Sequence, residues 1–128
     1  MSLARCPECF TYTPQFPCEE CGYIPQEPPL ALALPPLTPL PGPDQIRYRL
    51  GRVLGKPGGF GITYLAWDEA LKMRVAIKEY YPRQLVGRST EDHRTLTPHS
   101  PADREVFRAS LEAFQKGPVE AKLQFDDI

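Results

Sequence analysis

Apolar and polar residues alternate from Tyr48 to Leu54, with Tyr48, Leu50 and Arg52 on one side, which predicts a half-buried strand. Ile62 to Trp67 alternates in the same way, Asp68 to Arg74 reads as a polar turn, and Val75 to Tyr80 reads as a third strand. Between the first two lies Gly55 to Gly61, too rich in glycine for anything but a mobile turn. The order strand, glycine turn, strand, hairpin, strand predicts a small antiparallel sheet. Farther on, Ser100-Pro101-Ala102-Asp103 has the N-cap serine, first-turn proline and acid of a helix start. Phe107, Leu111 and Phe114 follow at i, i+4 and i+7 and give that helix one apolar face, and Gly117-Pro118 is expected to end it. Near the N-terminus only Phe10-Thr11-Tyr12-Thr13 alternates, as a short strand would.

Proline divides this pattern. The chain has 128 residues and sixteen prolines, half of them between Pro25 and Pro43. Such a stretch favours extended polyproline II and is expected to act as a semi-rigid spacer, with Pro36-Leu37-Thr38-Pro39 matching P-x-x-P. The expected organisation is a small module over residues 1–25, a proline-rich linker over 26–45 and a main unit over 46–128, α+β in class. That last unit is near the lower size limit for a self-sufficient core. The net charge of −1 argues against a dedicated nucleic-acid binder. The first 27 residues set Arg5 against Glu8, Glu19, Glu20 and Glu27, whereas residues 46–116 are moderately basic, which suits phosphate. No apolar run is long enough for a secretory signal or a membrane span, so a cytoplasmic protein without membrane contact is expected.

In a reducing compartment, paired cysteines are better read as metal ligands than as disulfides. Cys6-Pro7-Glu8-Cys9 and Cys18-Glu19-Glu20-Cys21-Gly22 are two C-x2-C pairs eight residues apart. Each pair can curl into a turn that presents two sulfurs to one ion, and Gly22 can take the positive φ that closes the second turn. The segment from Cys6 to Gly22 resembles a small zinc ribbon, although Phe10 stands where such ribbons often carry glycine. Rubredoxin-type iron sites use the same pairs with a longer gap. Four thiolates close the coordination sphere, so the zinc is expected to hold the module folded and do no chemistry. Protein contact is the expected use of the module.

The glycine turn separates one kind of phosphate loop from another. A dinucleotide fingerprint or a Walker loop must lead into a helix, whereas strand-like Ile62-Thr63-Tyr64-Leu65-Ala66-Trp67 follows here. With Gly58-Gly59-Phe60-Gly61-Ile62-Thr63-Tyr64 and Val75-Ala76-Ile77-Lys78-Glu79-Tyr80-Tyr81-Pro82, the chain resembles the N-lobe of a bacterial, eukaryotic-like Ser/Thr protein kinase from about Tyr48 to Phe114. The resemblance implies ATP as ligand. Leu54, Thr63 and Ala76 would line the adenine slot, Lys78 would reach the α- and β-phosphates, and Gly55, Gly58, Gly59, Phe60 and Gly61 would form the covering loop. Strand period independently puts Ala76 and Lys78 on one face. Gly58 and Gly61 fit the second and third family glycines, Gly55 is one residue too far away, Pro57 stiffens the loop, and Thr63 replaces the usual valine. Glu120 resembles the helix glutamate that pairs with the lysine, but it falls about three residues late.

His93-Arg94 has no following aspartate, and no D-F-G occurs in the 128 residues. The segments that supply a kinase's catalytic base and magnesium ligands are thus not found here. The expectation is an ATP-binding N-lobe with a structural zinc ribbon that is not catalytic alone. Magnesium would be held only if a C-lobe were supplied, as by a separate chain. A truncated gene, a split protein and a fragment would look alike in sequence. The alternative is a non-enzymatic zinc-ribbon interaction module with a vestigial kinase lobe.

Overall fold

The computed structural model describes residues 3–27, 30–41, 45–115 and 123–125. In chain order the strands are β1 (Ala4–Arg5), β2 (Tyr12–Thr13), β3 (Pro39–Pro41), β4 (Ile46–Leu54), β5 (Gly61–Asp68), β6 (Met73–Tyr80), β7 (Val86–Arg88) and β8 (Leu96–Pro98). Helix α1 (Pro101–Gln115) and strand β9 (Leu123–Phe125) follow. The architecture is α+β. The main sheet is antiparallel with the order β3-β4-β5-β6-β9, and β1-β2 and β7-β8 form two small separate ladders.

The alternation of the sequence sets the central register. Leu54 lies opposite Thr63, Thr63 opposite Lys78, and Leu65 opposite Ala76. Ile62, Tyr64, Ala66 and Val75 face the other way and are buried with Leu50, Ala33, Tyr81 and Val86 in one core. The β4–β5 ladder is interrupted between Leu50 and Val53. Simple alternation of Tyr48, Leu50 and Arg52 therefore fails at Gly51-Arg52, which forms a bulge.

Two expectations about this part of the chain are corrected. The sheet has five strands rather than about three, because β3 and β9 add to β4 and β6. The proline-rich stretch is also no free spacer, since residues 30–41 lie on the lobe. The Leu37 N–H donates to Leu50 O at 2.7 Å, the Leu50 N–H donates to Thr38 O at 3.0 Å, and the Leu34 N–H donates to the Tyr64 hydroxyl at 2.9 Å. Leu30, Leu32, Leu34 and Leu40 pack against the core around Ala33. Leucine and alanine between the prolines carry enough apolar surface to favour packing over solvation, at about 25 cal/mol per Å² buried.

A partly buried ion pair holds this segment down. Arg88, with its side chain only 3% exposed, donates to both Glu79 carboxylate oxygens at 2.6 and 2.9 Å. It also donates to the carbonyls of Leu32 and Arg94 and lies 5.0 Å from the centre of the Tyr81 ring. The Tyr64 hydroxyl donates to Glu79 at 2.8 Å. Burial, with the Glu79 charge beside it, pushes the Tyr64 hydroxyl above its ordinary pKa. At the far end of the hairpin, Asp68 is fully buried. Its carboxylate accepts the N–H groups of Ala70 and Leu71 and the fork of Arg47. Burial alone would raise the Asp68 pKa, but the Leu71 N–H, Arg47 and the Ala70 N–H together lower it.

The helix starts as its sequence predicts, with the Asp103 N–H donating to Ser100 Oγ at 3.1 Å. Phe107 and Phe114 stack on Tyr80 with ring centres 5.9 and 5.2 Å away. Leu111 is half-buried and Val106 is 54% exposed, so the helix face is partly covered. Gly117-Pro118 and Glu120 lie outside the described residues.

Candidate metal centre and nucleotide loop

The two C-x2-C turns are built alike. The Phe10 N–H donates to Cys6 O at 2.9 Å, and the Gly22 N–H donates to Cys18 O at 2.8 Å. The Cys6 N–H donates to Thr11 O, and the Cys18 N–H to Tyr23 O, both at 2.9 Å. Phe10 and Gly22 hold the same place after each pair and share positive φ, 62° and 81°. Left-handed geometry costs a phenylalanine about 1 kcal/mol or more. Its ring stacks on Trp67 with centres 5.7 Å apart, which gives the side chain a use that glycine lacks.

These turns bring the ligand atoms of Cys6, Cys9, Cys18 and Cys21 within 4.8 Å of one another. Cys6 and Cys21 sulfurs are 3.7 Å apart, as are those of Cys9 and Cys18. A disulfide needs about 2.05 Å between sulfurs. Four sulfurs about 2.3 Å from one tetrahedral ion stand about 3.8 Å apart, so the donor set and its spacing fit zinc. The thiols are not equivalent. The Cys21 N–H pulls Cys18 down to about 6, whereas burial pushes Cys21 up to about 12 and raises Cys6. Neither histidine belongs to the cluster; His99 Nε2 lies 3.2 Å from Arg83 O instead.

The module is fastened to the sheet at a place the sequence reading missed. The carbonyl of Pro7, between two metal-ligand candidates, accepts the Arg52 N–H at 3.1 Å. Glu8, its neighbour, accepts from Arg52 Nε and lies 3.8 Å from Arg74. Arg5 pairs with Glu69 at 3.0 Å. A Cβ on Gly51 would stand 2.2 Å from Pro7 O and 2.7 Å from Phe10 Cζ, so only glycine permits this approach. A glycine inside an alternating strand was the available signal. Nothing in the sequence marked Glu8 as the partner of Arg52.

The candidate nucleotide residues converge as strand pairing requires. Leu54, Thr63 and Lys78 form a cross-strand row, and Ala76 lies two residues from Lys78 on the same face. Leu54, Thr63 and Ala76 are half-buried and Lys78 is exposed. Among the described residues, Lys78 makes no ion pair. Gly61 is buried, and a Cβ there would stand 2.8 Å from Lys78 Cε and 2.7 Å from Glu79 O, so its bareness gives the lysine stem room. Gly55 takes φ 66°, Gly59 has open space around its Cα, and Phe60 is 72% exposed. The Gly58 N–H donates to Gly61 O at 3.0 Å, while Tyr81 and Arg83 N–H groups donate to Phe60 O and Gly59 O. The loop is therefore closed on itself and tied to the end of β6.

Among the described residues no helix is long and apolar enough to cross a membrane. No family model matches the sequence, and comparison with curated proteins finds no match. Among solved structures the chain is similar to PpkA-294 in its apo form, a fragment of a bacterial Ser/Thr kinase, at 28% identity and a TM-score of 0.56. The likeness covers 66% of this chain and 27% of that one, so the chain spans about a quarter of the structure it matches, and the similarity is to a kinase-like N-lobe.

Proposed function

We propose that this chain is an ATP-binding kinase N-lobe, bearing a structural zinc ribbon, that transfers phosphate only when a second lobe is supplied. The observation that carries this reading is the row Leu54, Thr63 and Lys78, with Ala76 beside it, under a glycine turn that joins two antiparallel strands. A base can lie against Leu54, Thr63 and Ala76. Lys78, its stem over Gly61, would then supply the positive charge for the α- and β-phosphates. Phosphoryl transfer further needs a base and magnesium ligands, and the 128 residues hold no recognisable motif for either. ATP is therefore expected to bind weakly, near the millimolar range or about −4 kcal/mol.

Titration with ATP, followed by amide NMR, tests this reading. Shifts should centre on Gly58 to Gly61 and shrink in Lys78→Met, and shifts confined to other regions would reject the pocket. Radiolabelled ATP with a generic protein substrate should give no turnover by the chain alone. Turnover that vanishes in Lys78→Met would reject the need for a second lobe.

The second reading is a non-enzymatic interaction module with a vestigial loop. Its support is the closed loop, in which the Gly58 N–H is taken by Gly61 O instead of facing outward. A flat ATP titration with an intact fold would favour it.

A further inference from the structure

The metal module and the glycine loop are joined by one short piece of backbone. Pro7-Glu8, the tip of the first C-x2-C turn, grips Arg52 twice, by the Pro7 carbonyl on its N–H and by the Glu8 carboxylate on its Nε. Arg52 lies in the β4 bulge, two residues before Leu54 and three before Gly55. Where the β4–β5 ladder lapses, the Arg52 N–H is satisfied by the module instead.

We propose that metal occupancy of Cys6, Cys9, Cys18 and Cys21 sets the order of the Gly55–Gly61 loop through the contact of Pro7-Glu8 with Gly51-Arg52. The shape of the Pro7-Glu8 tip depends on Cys6 and Cys9 sharing an ion. The module has a small core, since Cys6, Pro7, Phe10, Thr13 and Cys18 are its buried residues among those described. A unit this small relies on metal for its folding free energy. Metal loss would release the Pro7 carbonyl and the Glu8 carboxylate from Arg52 and remove the Phe10 ring from Trp67. Among the described residues, the ladder pairs left at the end of β4 would be Val53 opposite Tyr64 and Leu54 opposite Thr63. The two states of the switch are β4 held by the module and β4 free of it, and metal binds the first more tightly.

The effect on ATP rests on the nucleotide reading above, but the effect on the loop does not, so amide hydrogen exchange is the primary readout. In the full chain, a zinc chelator should speed exchange at Arg52, at Leu54 and at the loop amide of Gly58, whose N–H is bonded to Gly61 O, at least tenfold, and core amides of Tyr64 and Val75 much less. Glu8→Gln and Gly51→Ala keep all four cysteines. Each should retain zinc by metal analysis and still speed exchange at Arg52 and Leu54. Unchanged exchange after verified metal loss would overturn the proposal. Equal acceleration throughout the core would overturn it too, by showing global unfolding in place of a local release. If ATP never binds, the exchange result still decides the coupling, and only the nucleotide reading falls.

Discussion

Arg88→Met should destabilise the lobe more than any surface charge change, because it strips the half-buried Glu79 carboxylate of a counter-ion that is itself almost wholly shielded from water. Arg88 is 3% exposed and forks onto Glu79, while its remaining N–H groups satisfy Leu32 and Arg94 carbonyls. After the change Glu79 keeps, among the described residues, the Tyr64 hydroxyl as its side-chain donor, and the Leu32 carbonyl loses both of its bonds from Arg88. Breaking a fully buried pair by removing one partner costs about 3–5 kcal/mol, and with Glu79 20% exposed a loss of about 2–3 kcal/mol is expected. In a domain of this size each kcal/mol is worth about 4–8 °C, so the midpoint should fall by at least about 8 °C. Urea unfolding followed by Trp67, the single tryptophan, gives the free energy directly. Arg88→Lys keeps the charge without the planar fork and should fall between wild type and Arg88→Met. If Arg88→Met is too unstable to study, Arg88→Met with Glu79→Gln should recover part of the loss, since no half-buried charge is left unpaired. A loss below about 1 kcal/mol, the range of exposed pairs, would refute the argument that this pair is shielded from solvent and holds the proline-rich segment down.

Cys18→Ser should lose most bound zinc in metal analysis, and undiminished zinc would remove the four-cysteine assignment. Acidification should release zinc from the wild type, because protons compete with the metal for the four thiolates. Asp68→Asn should cost about 2 kcal/mol at neutral pH, measured by urea unfolding. Because the folded Asp68 pKa is depressed, its contribution is present above the unfolded value of about 3.9 and lost as pH falls through the folded value. The difference between wild type and Asp68→Asn should therefore narrow in acid; a pH-independent difference would show that hydrogen-bond geometry, and not charge, is responsible.

The elements legible in the sequence are those whose cause is local. Alternation in Ile62 to Trp67 and Val75 to Tyr80 reflects one sheet with two faces, and Ser100-Pro101 carries its own helix start. The two C-x2-C pairs specify their turns by spacing alone. What stayed hidden depends on partners far along the chain. Leu30 to Leu34 looks like spacer until Tyr64 and Arg88 provide its contacts, 30 and 56 residues away. The β7–β8 hairpin carries no strong alternation and is positioned by Arg88 and by the His99 N–H on Leu85 O. Gly51 reads as a weak point in a strand, yet it is a point of close approach, a meaning supplied only by Pro7.

Strand β3 contains Pro39, Leu40 and Pro41, so two of its three residues have no N–H to offer. On this flank of the sheet neither proline can donate to an incoming strand, where a ladder needs a regular series of donors. Proline at a sheet margin is a known guard against unwanted strand pairing. The residues that looked like a mere spacer thus close one side of the lobe to strand addition. Self-association through β-pairing is denied that side, and any partner strand must seek the opposite margin of the sheet.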